Sequence, residues 1–266
     1  MSSAKGGWEL PISEGELSGL TRDLEQAHRE YLPVMHAAAA DLTEELRTGS
    51  RRGFLLGAGG VAAALALAAC SSSSTKSAVG APSDPPSMAS SGSASASSLY
   101  TGDLQLVALS VALENQAVGA YTAALAAAKA GKLGTVPPAV ATFATTAKAQ
   151  HADHAKAWNA ILTGAGKPAI TTVPLSNQPA TLKALEAATT TADVAKLALE
   201  LENQAAQTYL FATYNVSSAG GIATAASIAP VEAMHAAILN YVLGQYPVPD
   251  DFLPTDKAAS PSLLTV

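Results

Sequence analysis

Two nine-residue segments of this chain repeat one pattern: Leu113–Tyr121 reads LENQAVGAY and Leu201–Tyr209 reads LENQAAQTY. Six of the nine positions agree, among them the uncommon Glu, Asn, Gln and Tyr, so shared alanine bias does not explain the match. A recurring unit has to bury the same face twice, and this limits the fold before any propensity is consulted. The segments that follow the two copies also align, His151-Ala-Asp-His154 against Glu232-Ala-Met-His235. The chain therefore reads as two copies of one helical hairpin.

Chain breakers divide the region from Leu99 onward in agreement with this reading. A first helix runs from about Leu104 to Ala130 and is stopped by Gly131 and GTVPP. A second begins near Pro138, where proline suits the first turn, and ends at GAGKP. A polar crossover from Ala169 to about Thr181 and a short helical piece, LKALEAA, come next. Thr190 to Asp193 is a capping-box pattern that opens a third long helix, which reaches about Tyr214 before SSAGG. The fourth covers about Ile222 to Leu243, with Gly244 as its stop; Pro230 either bends it or marks its start. No period-2 alternation long enough for a strand intervenes, and abundant alanine with 5% aromatic residues favours helices over sheets. The predicted fold is all-α: a four-helix bundle with two short hairpin loops and one long crossover. The proline-rich tail, residues 245–266, either packs along the bundle or trails from it.

The N-terminal part has a different character. Ser50-Arg51-Arg52-Gly53-Phe54-Leu55 matches the twin-arginine export signal, and Gly53–Ala69 is an uncharged run of 17 residues. That run is short for a membrane-crossing helix, which needs ~20 residues, and suits the apolar region of a signal peptide. Leu67-Ala68-Ala69-Cys70 resembles a bacterial lipobox, with Cys70 as the acylated residue; a plain membrane anchor with an incidental cysteine is the other reading. This single cysteine rules out an internal disulfide. Residues 71–98, rich in Ser, Ala, Gly and Pro, cannot bury a core and read as a disordered tether. The expected organisation is thus an N-terminal extension (1–49), signal and lipobox (50–70), linker (71–98), bundle (99–244) and tail (245–266). In the extension, LTRDLEQAHREY reads as a weak helix that Pro33 interrupts. The extension is either a long region before the signal or lies ahead of a start at Met35, and His28 and His36 are placed outside the functional domain. The partners implied are the twin-arginine translocase and the membrane, through lipid on Cys70, at the outer face of the cytoplasmic membrane; for the bundle, a homodimer is left open. A net charge of −6 without a basic stripe excludes nucleic acid.

Each hairpin offers one carboxylate on its first helix, Glu114 or Glu202, and a pair three residues apart on its second. Residues three apart on a helix are neighbours, so His151 with His154, and Glu232 with His235, can each meet one ion. Tyr121 and Tyr209 lie two turns beyond their glutamates, on the same face. Both glutamates sit among apolar residues, where a carboxylate costs several kcal/mol unless a cation or hydrogen bonds compensate.

These residues resemble the ferritin-like superfamily, in its bacterioferritin and rubrerythrin type of dinuclear carboxylate protein, over Leu99 to about Gly244. The resemblance implies terminal carboxylates at Glu114 and Glu202, terminal imidazoles at His154 and His235, a bridging carboxylate at Glu232, and Tyr121 and Tyr209 behind the ligands. Asn115, Gln116 and Asp153 point elsewhere by helical phase. His151 stands where the family has a second bridging glutamate. A neutral imidazole has one lone pair for a metal, so the ligand set carries −3 rather than −4, which puts oxygen-activating chemistry in question. The cofactor implied is Fe or Mn, dinuclear or mononuclear, with Zn also compatible. The implied function is a membrane-tethered metal-binding protein that handles iron or manganese, or an oxidase or peroxidase outside the cell. The alternative is a metal-free envelope module for stress protection or binding. No cysteine pair for a rubredoxin-type domain exists, and a lipid tether on every subunit disfavours a storage cage.

Overall fold

The computed structural model describes residues 12–67, 99–250 and 252–266, with side chains described as far as Thr48 in the first of these segments. Arg51, Arg52 and Cys70, and the tether 71–98, fall outside the residues whose side chains are described. Six α-helices follow in order: α1 (Glu14–Leu67), α2 (Asp103–Lys129), α3 (Pro138–Gly164), α4 (Gln178–Ala187), α5 (Thr191–Asn215) and α6 (Ala219–Val242). A 3-10 turn, Pro261–Leu263, lies near the C-terminus, and the described residues contain no strand, only an isolated bridge between Leu175 and Leu264. The all-α bundle is the observed fold.

Local chemistry accounts for most of the boundaries. Pro138 occupies the first turn of α3, where its missing N–H has no partner to lose. At α5 the Thr190 hydroxyl accepts from the Asp193 N–H at 3.1 Å while the Asp193 carboxylate accepts from the Thr190 N–H at 3.0 Å, a complete capping box. Helices α2, α3 and α6 end in one way. Gly131, Gly166 and Gly244 take φ of 71°, 74° and 72°, and the next residue's N–H reaches back to Ala127, Leu162 or Asn240. Only glycine adopts that left-handed conformation without a steric penalty.

The two hairpins are α2 with α3 and α5 with α6, and they meet along α2 and α5. Asn115 and Gln116, which the helical phase turned away from the site, pin the crossover: Asn115 Nδ2 donates to the carbonyls of Ile170 (3.0 Å) and Thr172 (2.9 Å), and Gln116 Nε2 donates to Gln178 Oε1 (2.9 Å). The tail packs along the bundle, with the N–H groups of Lys257 and Ala259 donating to Gln207 and Thr208.

Pro230 lies inside α6 and neither begins it nor stops it. Both Pro230 and Ala226, whose carbonyl loses its helical donor, are exposed, so water can take the place of the lost bond. Among the described residues α6 alone has the length and apolarity of a membrane-crossing helix, and it is a core helix of the bundle.

The N-terminal extension requires a correction. Pro33 does not interrupt α1, because it too is exposed. Helix α1 lies against α3 and α6 and closes that side of the bundle, so residues 14–48 belong to the folded unit instead of standing apart from it. Its buried face is Leu17, Thr21, Leu24, His28, Met35, Ala38 and Leu42, a stripe at spacings of three, four and seven. His28 is therefore a core residue, while His36 is exposed.

Candidate metal centre

Four helices contribute one wall each to a polar cluster inside an apolar shell. Glu114 comes from α2, His151 and His154 from α3, Glu202 from α5, and Glu232 and His235 from α6; none is more than 1% exposed. They form two groups, Glu114–His151–His154–Glu232 and His151–Glu202–Glu232–His235, in each of which one ligand atom per residue lies within 4.8 Å of all the others. All six residues predicted as ligands are thus brought together, and Asp153 is not among them.

His151 and Glu232 belong to both groups, and each reaches both sides. Glu232 places Oε1 2.8 Å from His154 Nδ1 and Oε2 3.2 Å from His235 Nδ1. His151 places Nδ1 2.7 Å from Glu114 Oε2 and Nε2 3.1 Å from Glu202 Oε1. The imidazole thus spans the two halves with its two ring nitrogens, where a carboxylate would span them with its two oxygens.

The tyrosines exchange partners between the repeats. Tyr121 of the first copy donates its hydroxyl to Glu202 of the second at 2.5 Å, and Tyr209 of the second donates to Glu114 of the first. Trp158 stacks on Tyr209 at 5.9 Å, and Phe143 stands edge-on to both Tyr121 and His235. Each carboxylate is thereby aimed by a phenol that is itself wedged in the core.

The imidazoles and carboxylates of the cluster shift one another's protonation in opposite directions. Burial alone would depress the imidazoles, but the neighbouring carboxylates dominate. Glu232 and Glu202 hold His151 well above its ordinary 6.5, Glu114 raises His154 to about 9, and Glu202 raises His235. Burial would likewise raise the carboxyls; instead His154 brings Glu114 down to about 2, and His151 holds Glu202 well below 4.5. The clustered imidazoles are thus drawn toward their charged form, and Glu114 and Glu202 toward theirs. His28 behaves oppositely: burial, then the adjacent His154 charge, lowers it to about 4, and it packs neutral on the His154 ring at 5.2 Å between centroids.

The donor set fits a metal ion. His154 Nδ1 and Glu232 Oε1 are fully buried and only 2.8 Å apart, yet neither has a hydrogen bond of proper geometry. Buried polar atoms are rarely left in this state, and a cation between them would satisfy both. Carboxylate oxygen with imidazole nitrogen suits Fe, Mn or Zn.

Two further residues bear on the site and were not singled out from the sequence. Gln150 on α3, buried, presents Oε1 to His235 Nε2 at 2.8 Å and donates from Nε2 to Glu25 Oε2 on α1 at 2.9 Å. The helical spacing of apolar residues along α1 was the signal that would have placed Glu25 and His28 near the bundle; nothing local in KAQHADHAKAW distinguishes Gln150 from a surface residue.

Comparison with known families found that a family model described as a ferritin-like domain matches residues 102–245, which run from the start of α2 to just past α6 and include all six clustered residues but not α1. Searches of curated proteins and of solved structures each found no match.

Proposed function

Since the chain belongs to the ferritin-like domain family, we propose that it is a metal-binding member that carries iron or manganese on the outer face of the cytoplasmic membrane. The observation that carries this reading is the unbonded pair His154 Nδ1 and Glu232 Oε1 within the first ligand group. Glu114, His151, His154 and Glu232 would hold one ion, and His151, Glu202, Glu232 and His235 the other; Zn fits the same donors. Iron or manganese bound there would supply one-electron chemistry toward oxygen or peroxide. The chain's own residues orient the donors and keep water out: Tyr121 and Tyr209 aim the terminal carboxylates, and Phe143 and Trp158 wall the cluster. His151 as a neutral imidazole serves one ion at a time, so its lone pair limits filling of both positions.

Export and tethering rest on the Arg51-Arg52 pair and on Cys70 in its lipobox-like setting. Cys70→Ser is expected to move the protein from the membrane fraction to the soluble fraction.

Elemental mass spectrometry of the full chain, purified without added metal or chelator, tests the metal reading. One or two Fe or Mn per chain supports it, and Glu202→Ala should reduce the content while leaving helicity intact. Unchanged metal content in that variant would remove Glu202 from the ligand set. The close pairing of each imidazole with a carboxylate favours a second reading, a metal-free envelope module on the same bundle. Thermal unfolding with and without chelator separates the two, because an ion that binds only the folded chain raises its melting temperature.

A further inference from the structure

Resting on the metal reading above, we propose that, in the full-length chain before its signal segment is removed, Glu25 of α1 determines, through Gln150, which nitrogen of His235 faces the metal. The contacts admit one consistent assignment of hydrogens. Glu25 Oε1 is engaged by Arg29 at 2.7 Å, and its Oε2 lies 2.9 Å from the Gln150 amide nitrogen. A carboxylate only accepts, so the Gln150 NH2 must face Glu25 and its carbonyl oxygen must face the opposite way. That oxygen lies 2.8 Å from His235 Nε2 and also only accepts, so Nε2 carries a hydrogen. Nδ1 is then the nitrogen offered to the other side, where Glu202 Oε2 and Glu232 Oε2 each stand 3.2 Å away. Turning the amide over would set its oxygen against the Glu25 carboxylate and its NH2 against the protonated ring nitrogen, losing both bonds.

Glu25 and Gln150 are therefore positioning residues. An outer partner of this kind fixes the ring orientation and tautomer of a histidine ligand and raises its basicity. Here the direct partner, Gln150, lies on α3, and the residue that orients it, Glu25, comes from a helix outside the matched family region, residues 102–245. Gln150 is buried, whereas Glu25 is only partly so and lines a solvent groove with Arg22, Gln26 and Arg29. Docking of α1 is thus what connects a surface ion pair to the geometry of an internal ligand.

Anaerobic titration of the full-length protein with Co(II), followed by its visible spectrum, tests this. Gln150→Leu should weaken the ion held by His235 about 10–100-fold and change its spectrum, since loss of an outer partner has that typical effect. Glu25→Gln should weaken it by less, because the Gln150 amide is then free to turn. The double substitution Glu25→Gln with Gln150→Glu rebuilds both hydrogen bonds, with a carboxylate now accepting from the histidine and an amide donating from α1. It should restore affinity to within a few-fold of wild type. A residue with a merely structural role would shift the melting temperature of the metal-free chain without this rescue. Should Gln150→Leu fail to fold, Glu25→Gln and the double substitution still decide the matter. Wild-type affinity in both single variants, or a double variant no tighter than the weaker single, would overturn the proposal. A wild-type chain that takes up no Co(II) overturns the metal reading, and this inference with it, whereas binding that is indifferent to the variants overturns this inference alone.

Discussion

At the scale of single residues, the centre is a set of buried imidazoles and carboxylates held by reciprocal pairing. Tyr209→Phe and Tyr121→Phe each remove one donor from a buried carboxylate and leave its oxygen without that bond. Hydrogen bonds to charged groups contribute about 1.5–3 kcal/mol, so each variant should lose about that much in denaturant unfolding of the metal-free protein. An effect below a few tenths of a kcal/mol would show that the glutamates do not depend on the phenols. The pH dependence follows from the opposed shifts. His154, raised to about 9, stabilises the fold fully below 6.5, and that contribution is lost as pH rises through 9. Glu114, lowered to about 2, stabilises above 4.5 and loses its contribution as pH falls through 2. His28, lowered to about 4, costs stability as pH falls from 6.5 toward 4, because the unfolded chain takes up a proton there that the folded chain refuses. Metal-free stability should therefore peak near pH 6.5 and fall on both sides, measurable as melting temperature across a pH series with chelator present. Metal binding should shift that optimum upward, since ligation displaces protons from the imidazoles.

At the scale of elements, the contact between α1 and α6 is tight enough to test directly. A Cβ at Gly220 would come within 2.3 Å of the Leu42 backbone nitrogen and 2.9 Å of the Ala38 carbonyl oxygen. Backbone atoms cannot rotate away, so Gly220→Ala should push the two helices apart and cost at least the 1–3 kcal/mol typical of overpacking. The Gly220 N–H also donates to Glu45 of α1 at 3.2 Å, where a carboxylate favours the N-terminus of α6. Hydrogen exchange should report faster opening of α1 in this variant than of α2 or α5; uniform protection would mean that the junction relaxes elsewhere. Helix α1 was also the element that its own residues described least well. Pro33 suggested an interruption, and the charged stretch around LTRDLEQAHREY hid a stripe of buried positions. The signal was present in Ser13 and Glu16, which form a reciprocal cap with the Glu16 N–H donating to Ser13 Oγ at 3.2 Å and the Ser13 N–H donating to Glu16 Oε2 at 3.0 Å.

At the scale of the whole molecule, the bundle proper and α1 share one interior. Leu17, Leu24, Met35 and Leu42 are buried against α3 and α6, each contributing about 1.5–3 kcal/mol on burial. A chain that begins at Cys70 lacks all four and exposes the face they cover. It should be several kcal/mol less stable than the full chain, or self-associate through the uncovered face, by denaturant unfolding and light scattering. A monomer of unchanged stability would show that α1 rests on the bundle without holding it. Glu25 and Gln150 meet only while α1 is docked.

The sequence by itself determined the four bundle helices, their breakers and caps, and the residues that line the centre. Periodicity, capping and repetition are local or self-referential signals, and an internal repeat marks twice the positions that share one face. Only the tertiary structure decided how those positions combine. It paired each tyrosine with the other repeat's glutamate, set His151 between the two ligand groups, and joined His235 through Gln150 to α1. These are contacts between side chains far apart in sequence, fixed by which helices pack side by side. A glutamine one residue before a histidine carries no mark of the helix that will lie across it.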